Sequence, residues 1–253
     1  MIFDTHAHYD DEQFDGDRDE LLKSMSDLGV GTIVDVSATY ESCEKVLALA
    51  GKYPYVYAAI GVHPDEVGEL NEDKIQHMKE LCRNKKVVAV GEIGLDYYWD
   101  NEPHEVQQKW FIRQLKLAGE VKKPVIIHSR EAAADTMYIM KNYAQGLGGV
   151  IHCYSYSREM AEEYVKMGFY IGIGGVVTFK NAKKLKDVAA AIPIEKIVLE
   201  TDCPYMAPEP YRGKRNQSSY IRYVAEKIAE LKEMSLEEVI AVTEKNARDL
   251  YGI

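Results

Sequence analysis

Short apolar runs alternate with longer helix-like stretches along nearly the whole chain. Most of these runs are continuously apolar and rich in β-branched residues, which is typical of parallel strands buried on both faces of a sheet. Eight strand–helix units in 253 residues match the count and size of a (β/α)8 barrel, so the alternation predicts an α/β protein with a TIM-barrel fold. The candidate strands are Ile2–Thr5, Thr32–Ser37, Val56–Val62, Val87–Glu92, Val125–His128, Val150–His152, Phe169–Ile173 and Ile197–Thr201.

A doubly wound open sheet is the alternative architecture for a chain of alternating strands and helices. Such a sheet usually carries fewer strands, and its first strand is often followed by a glycine-rich turn. Here the first turn reads His6-Ala7-His8-Tyr9, without those glycines. The barrel is therefore the favoured fold.

Helix signals agree with this division of the chain. Apolar residues recur at helical spacing over Glu105–Lys122, and Pro103 suits the start of that helix. Ser235 and Glu238 form the pattern of a capping box that opens the terminal helix. No linker, low-complexity tract or charge block divides the chain, so we expect one domain over residues 1–253.

The composition predicts a cytoplasmic protein. No apolar run approaches the roughly 18 residues that span a bilayer, and the N-terminus lacks the pattern of a signal peptide. The four cysteines are scattered and form no CxxC motif, which favours reduced thiols over a disulfide framework or a zinc site. We expect a monomer that does not associate with membranes.

The net charge of −10 restricts the possible partners, because an acidic protein repels nucleic acid at long range. If the substrate is a phosphodiester, bound cations and a local basic patch must offset this charge. The cluster Arg212, Lys214 and Arg215 follows the last candidate strand and is the best candidate for such a patch.

Most histidines of the chain lie where the candidate strands end. In (β/α)8 enzymes the C-terminal ends of the strands and the loops that follow them form the active site. Five of the seven histidines are at these ends, and only His77 and His104 fall in helix-like segments. The polar residues at the strand ends are His6, His8, His63, Glu92, His128, Arg130, His152 and Asp202.

His6 and His8 alternate on one strand, so their side chains point to the same side and could grip one ion. Alone, this pair is as consistent with surface histidines as with a metal site. A single Asp at a strand end is often a helix N-cap. Surface histidines and helix caps do not explain why so many polar residues of these types lie at the strand ends together.

Four imidazoles and two carboxylates (His6, His8, His128, His152, Glu92 and Asp202) suffice for two divalent cations, with Glu92 able to bridge them. Two cations a few Å apart orient a water molecule, lower its pKa and stabilise charge on an attacked phosphoryl or carbonyl centre. The set therefore predicts a metal-dependent hydrolase. Imidazole ligands suit zinc, manganese or iron better than magnesium.

These strand-end motifs resemble those of the TatD-type deoxyribonucleases, a branch of the metal-dependent hydrolases related to the amidohydrolases. The resemblance covers essentially the whole chain. The motifs that carry it are Asp4-Thr5-His6-Ala7-His8, Gly61-Val62-His63-Pro64, Gly91-Glu92-Ile93-Gly94-Leu95-Asp96-Tyr97, Pro124-Val125-Ile126-Ile127-His128-Ser129-Arg130, His152-Cys153 and Glu200-Thr201-Asp202-Cys203-Pro204-Tyr205.

The resemblance implies a barrel with two metal ions and the cleavage of DNA, commonly as a 3′–5′ exonuclease, supported by magnesium or manganese. It implies that one ion is held by His6, His8 and Asp202, and the other by His128 and His152. Glu92 would lie between the two ions. It also suggests that His63 and Arg130 lie beside the metals and face the substrate.

Two segments depart from the family's usual pattern. Tyr154-Ser155-Tyr156 stands where the family commonly has an aromatic residue followed by Ser-Gly. Asn216-Gln217-Ser218 stands where Asn-Glu-Pro is usual. Neither segment includes a predicted ligand. We expect both to lie in loops that shape the mouth of the site and affect the choice of substrate.

The predicted roles follow from residue chemistry. Asp202 is both a ligand and the best candidate to accept the proton of the attacking water. Arg130 could bind a phosphate oxygen in a fork-like way, or form a salt bridge to Glu131 or Glu92. His63 could hydrogen-bond the substrate or orient another acid. The residues predicted to support the ligands from behind are Asp4 and Glu200.

Other functions stay open at this point. The same metal centre could attack a carbonyl group, as in an amidase, an esterase or lactonase, or a deacylase of aminoacyl-tRNA, because two cations polarise both kinds of centre. A non-catalytic metal-binding scaffold is the third possibility. Aromatic residues after the fourth and sixth strands could stack on exposed bases or pack under a loop. These are Tyr97, Tyr98, Trp99 and Tyr154.

Overall fold

The computed structural model describes residues 1–99 and 101–253. Its strands form one eight-stranded sheet whose order follows the sequence. The strands are β1 (Ile2–Ala7), β2 (Val30–Val36), β3 (Val56–Ile60), β4 (Val87–Asp96), β5 (Val125–Arg130), β6 (Gly149–Ile151), β7 (Tyr170–Ile173) and β8 (Ile197–Leu199). All eight predicted strands are present in this sheet, with shifted ends.

Helices follow or connect these strands. In the described part of the chain the α-helices are α1 (Arg18–Ser24), α2 (Ser42–Lys52), α3 (Glu72–Leu81), α4 (His104–Val121), α5 (Ala133–Tyr143), α6 (Arg158–Lys166), α7 (Lys183–Ala191), α8 (Ile221–Lys232) and α9 (Leu236–Tyr251). The long helix predicted after Pro103 is α4, which ends at Val121 and is followed by Lys122 in the left-handed conformation. The predicted capping box is present in full at the start of α9.

Contacts group the chain into two compact units. The terminal unit consists of Met1–Val34 and His152–Ile253, and the central unit is Asp35–Ile151. The expectation of one domain over residues 1–253 stays a prediction. Each unit has its own buried apolar residues. Those of the terminal unit include Phe14, Leu22, Met25, Phe169 and Ile171, and those of the central unit include Ile60, Ile75, Met78, Ile93 and Phe111.

Strand β4 is longer than predicted, because it continues past Glu92 to Asp96. In the central unit it pairs in parallel with β5, and Asp96 lies opposite Arg130 in the register. Gly94 makes this close pairing possible. Its φ is +152°, and a Cβ at this position would lie only 1.9 Å from the carbonyl oxygen of His128. The extra residues carry a carboxylate into the candidate site.

Within the described residues, no helix has the length and apolar character needed to cross a membrane.

Burial controls the reactivity of the thiols. Cys82 follows α3 and is almost fully buried, and burial raises the pKa of its thiol to about 12. Cys153 is half-buried. Since only the thiolate is nucleophilic, we expect iodoacetamide at pH 8 to leave Cys82 unlabelled in the native protein and to modify Cys153 first. Peptide mass spectrometry checks this, with protein unfolded in urea as the control in which all four cysteines react. Equal labelling rates at Cys82 and Cys153 would contradict it.

Candidate functional site

Three histidines and one aspartate meet in the terminal unit; we call His6, His8, His152 and Asp202 the terminal cluster. The Nε2 atoms of His6 and His8 are 3.0 Å apart, as expected for side chains that alternate on β1. The Asp202 Oδ1 atom lies 3.4 Å from His8 Nε2 and 3.8 Å from His6 Nε2. The ring of His152 stacks on that of His6 at 4.0 Å between centroids. Donor atoms of His6, His152 and Asp202 all lie within 4.8 Å of one another, so one cation could contact all three.

The backbone fixes Asp202 beside β1. Its N–H donates to the carbonyl of His6 at 2.9 Å, and its φ of +57° turns the chain directly after β8. Burial alone would raise the pKa of the Asp202 carboxyl. The hydrogen bond from His8 and the charges of the neighbouring histidines outweigh this effect and lower the pKa overall. Asp202 is therefore ionised at neutral pH, as a ligand or a proton acceptor must be.

Asp4 lies on β1, and its carboxylate contacts the segments after β8. Its carboxylate accepts hydrogen bonds from the backbone N–H of Thr201 at 2.9 Å, the hydroxyl of Thr201 at 2.6 Å and the hydroxyl of Ser218 at 2.6 Å. Its contact with His6 is a long one of 3.4 Å to the backbone N–H. Complete burial raises the pKa of Asp4 to about 7 in spite of these hydrogen bonds. Asp4 thus connects β1 to the segment after β8.

Glu200 supports the neighbourhood of His152. Its Oε1 atom accepts a hydrogen bond from the backbone N–H of Cys153 at 2.5 Å and lies 3.7 Å from His152 Nδ1. A Cβ at Gly172 would lie 2.4 Å from the other oxygen of Glu200, so glycine on β7 makes room for this carboxylate. Glu200 therefore holds the backbone directly after His152 in place.

A second group of ligand-type side chains occupies the central unit; we call His63, Glu92, Asp96 and His128 the central cluster. The His128 Nδ1 atom is 2.6 Å from Glu92 Oε1, and its Nε2 atom is 3.0 Å from Asp96 Oδ2. The Nε2 atom of His63 lies 3.8 Å from the same Glu92 oxygen. Donor atoms of His63, Glu92 and His128 are all within 4.8 Å of one another, which is again compatible with one cation.

A local cap orients His63. Its Nδ1 atom accepts a hydrogen bond from the backbone N–H of Asp65 at 3.2 Å, at the start of the 3-10 turn Pro64–Glu69. The Nε2 atom is thereby left on the side of Glu92. Asp65 lies beside this ring, and burial together with the nearby Asp96 raises its pKa to about 6.

Asp96 is a site residue that sequence reasoning did not assign. Burial by itself would raise its pKa, but the hydrogen bond and charge of His128 and the backbone N–H groups of Tyr98 and Trp99 lower it overall. One signal could have identified it. Asp96 follows Glu92 by four residues on one strand, and an even spacing places two side chains on the same face.

Arg130, at the end of β5, stacks on aromatic rings. Its guanidinium carbon is 3.8 Å from the ring centroid of Tyr98 and 5.4 Å from that of Trp99. In residues 1–99 and 101–253 no carboxylate forms an ion pair with it, so the structure does not contain the alternative bridge to Glu131 or Glu92.

The predicted ligands therefore fall into two groups. The structure brings His6, His8, His152 and Asp202 together in one unit, and Glu92, His128 and His63 together in the other. The predicted sharing of one ion by His128 and His152 stays a prediction, because the contact of His152 described here is with His6.

One residue of the basic cluster after β8, Arg215, is occupied by an ion pair. Arg215 forms a two-pronged ion pair with Asp17, with distances of 2.8 and 2.6 Å, and it lies over the ring of Phe14. Arg212 lies over the ring of Phe179. Arg215 therefore braces the terminal unit, which weakens the interpretation of this cluster as a phosphate-binding patch.

The expectation that Ser218 shapes the mouth of the site is wrong. Ser218 is fully buried, donates its hydroxyl to Asp4 and accepts a hydrogen bond from the hydroxyl of Tyr9 at 3.0 Å. A proline at this position could make neither contact. This departure from the family pattern therefore acts on the buried carboxylate of Asp4 in β1.

Replacing Ser218 by Ala should leave the buried Asp4 carboxylate without one donor. We expect the free energy of unfolding to fall by about 1–3 kcal/mol, the usual cost of an unsatisfied buried polar group. Urea denaturation measures this, and the exposed Ser26→Ala variant is the matched control, with a change within about 0.5 kcal/mol. Identical unfolding midpoints for the two variants would show that the hydroxyl of Ser218 does not matter.

Comparison with known proteins agrees with this description. Residues 3–252 match the family described as "TatD related DNase". The chain is 46% identical to "Uncharacterized metal-dependent hydrolase YabD" of Bacillus subtilis (strain 168), with 100% of both chains covered. It is 37% identical to "Uncharacterized metal-dependent hydrolase YcfH" of Escherichia coli (strain K12), with 100% of this chain and 96% of that one covered.

A solved structure confirms the fold class. The crystal structure of YJJV, a TatD homolog from Escherichia coli K12, superposes with a TM-score of 0.93 at 34% sequence identity, over 100% of this chain and 98% of that one. The (β/α)8 prediction is thereby confirmed. The match over nearly all residues and the identity to these relatives lead to one conclusion: the chain belongs to the TatD family of metal-dependent hydrolases.

Proposed function

We propose that this hydrolase is a deoxyribonuclease that removes nucleotides from exposed single-stranded DNA ends, as a 3′–5′ exonuclease. The observation that carries the proposal is the position of Arg130. It is the last residue of β5, the strand that also carries His128, and its guanidinium forms no ion pair within residues 1–99 and 101–253. Such a group suits a phosphodiester better than a neutral amide. The family description "TatD related DNase" supports the same chemistry.

The donor sets fit divalent cations. Each cluster combines imidazole nitrogens with carboxylate oxygens within 4.8 Å, a mixture that manganese and zinc accept readily and magnesium accepts through the carboxylates. We propose two cations: the terminal cluster would hold one, and Glu92 and His128 of the central cluster would hold the other. When bound, such cations lower the pKa of water and stabilise charge on the attacked phosphorus.

Three side chains would accept the proton, bind the phosphate and donate a hydrogen bond to the substrate. Asp202, whose pKa is lowered, would accept the proton of the attacking water. Arg130 would bind a non-bridging phosphate oxygen through its N–H groups. His63 has its Nε2 atom on the side of Glu92 and would donate a hydrogen bond to the substrate.

The decisive experiment incubates metal-loaded protein with single-stranded DNA labelled at its 5′ or 3′ end, and in parallel with amides, esters and aminoacyl-tRNA. We expect mononucleotide release from the 3′ end with magnesium, manganese or zinc. Protein stripped of metal by a chelator is the control. Intact DNA with all three metals, together with turnover of an acyl substrate, would replace this proposal by the carbonyl-directed alternative.

We also propose a cytoplasmic location and a monomeric state. Within residues 1–99 and 101–253 none of the four cysteines forms a disulfide, as a reducing compartment would require. Gel filtration coupled to light scattering tests the monomer.

A further inference from the structure

Two large aromatic side chains lie exposed directly after β4; we call Tyr98 and Trp99 the aromatic pair. Their exposed fractions are 55% and 58%, and their ring centroids are 5.0 Å apart with nearly perpendicular planes. Tyr97, after β4, and Tyr154, after β6, pack against the protein. Tyr154 is buried, and Tyr97 stacks on His104 and donates its hydroxyl to Asp135. The aromatic pair is therefore available to a ligand.

Asp96 fixes the aromatic pair relative to the central cluster. Its Oδ1 atom accepts hydrogen bonds from the backbone N–H groups of Tyr98 at 2.9 Å and Trp99 at 3.2 Å. Its other oxygen lies 3.0 Å from His128 Nε2. One carboxylate thus connects a proposed metal ligand with the turn that presents the two rings. Asp96 therefore fixes the position of the two rings relative to His128.

Arg130 completes the arrangement. Its guanidinium lies over the Tyr98 ring, and such stacking occupies the face of the guanidinium. The N–H donors point outward in the plane of the group, so they stay able to bind an anion. A phosphate at Arg130 would then have an exposed indole ring as its neighbour, at the distance scale of a single nucleotide.

We propose that Arg130, Tyr98 and Trp99 form a nucleotide subsite in which Arg130 binds a phosphate and Trp99 stacks on an unpaired base of the same strand. This inference rests on the proposed nuclease function and deepens it. Tyr98 is the positioning residue that holds the guanidinium. Bases inside a duplex are already stacked on their neighbours, so the subsite selects single-stranded or frayed ends.

The test measures binding to metal-loaded protein with a phosphorothioate oligonucleotide that resists cleavage, by fluorescence anisotropy. The variants are Trp99→Ala, Trp99→Phe and, as the matched control, Tyr138→Ala, which removes a ring that is 66% exposed on α5. A second oligonucleotide has the same backbone but abasic sites at its 3′ end.

We expect Trp99→Ala to raise the Kd for the normal oligonucleotide about tenfold, a typical effect of losing one base stack. Trp99→Phe should restore the affinity to within about threefold, and Tyr138→Ala should change nothing. The abasic oligonucleotide should bind wild type and Trp99→Ala equally. The fluorescence of Trp99 should also be quenched by the normal oligonucleotide, since the second tryptophan, Trp110, is buried.

Two results would overturn the subsite. An equal loss of affinity for normal and abasic oligonucleotides would mean that Trp99 acts only through the backbone contacts of Arg130. Unchanged affinity in Trp99→Ala, or no binding to the wild type, would remove the base contact altogether. These outcomes are separate from the nuclease proposal. DNA that binds through Trp99 but is never cut contradicts the nuclease function alone, and DNA that is cut equally well without Trp99 contradicts the subsite alone.

Discussion

Replacing Asp202 by Asn should reduce kcat on the cleaved substrate by on the order of 10²–10⁴-fold, because the variant keeps the shape but loses the charge and the proton acceptor. The carboxylate faces His8 at 3.4 Å and His6 at 3.8 Å, and its lowered pKa keeps it ionised. An amide oxygen is a weaker ligand and takes up no proton at neutral pH. Initial rates at saturating metal and substrate measure the effect.

The control for this variant is Glu209→Gln, which neutralises an exposed carboxylate on the same segment after β8. Its kcat should stay within about twofold of wild type, as is usual for surface substitutions. Metal content, measured after dialysis by mass spectrometry, should fall in Asp202→Asn and stay unchanged in Glu209→Gln. An Asp202→Asn protein with wild-type kcat would show that another group accepts the proton.

The strands were predictable because each is a continuously apolar run that the sheet buries. Val125 to Ile127, for example, are fully buried in β5. The strand-end histidines were predictable as candidates for the same reason, since a polar residue directly after such a run marks the end of the strand, where active sites of this fold form. His6 and His8 are brought together by the two-residue period of β1 alone.

The parts that sequence could not supply depend on contacts between segments far apart in the chain. Strand β4 reaches Asp96 only because Gly94 pairs closely with His128, and no local pattern shows that pairing. Ser218 looked like a loop residue until its hydroxyl was found on Asp4, more than two hundred residues earlier. Arg215 looked like a free cation, and Asp17 turned out to neutralise it.

Asp96 connects parts of the central unit that lie in separate sequence motifs. The same side chain contacts His128, caps the turn of the aromatic pair and lies opposite Arg130 in the β4–β5 register. A change at Asp96 should therefore disturb a proposed ligand and the proposed nucleotide subsite together. Variants of Trp99 should disturb the subsite alone.

Gly94→Ala should be among the most destabilising single substitutions in the protein, with the free energy of unfolding lowered by more than about 3 kcal/mol. The added methyl group would meet the backbone carbonyl oxygen of His128 at 1.9 Å, and a strand backbone cannot yield as the end of a flexible side chain can. The φ of +152° adds strain for any residue with a Cβ.

Urea denaturation of Gly94→Ala beside Gly51→Ala gives a direct comparison. Gly51 lies in α2 with nothing within 4 Å of an added Cβ, so alanine there should stabilise the protein by up to about 1 kcal/mol through helix propensity. Because the clash falls on His128, metal binding by Gly94→Ala should weaken even where the variant remains folded at low urea. A Gly94→Ala protein as stable as wild type would mean that β4 and β5 can separate at this point without cost. The position of Asp96 would then have to be fixed by His128 and the turn after β4, and not by the pairing of the strands.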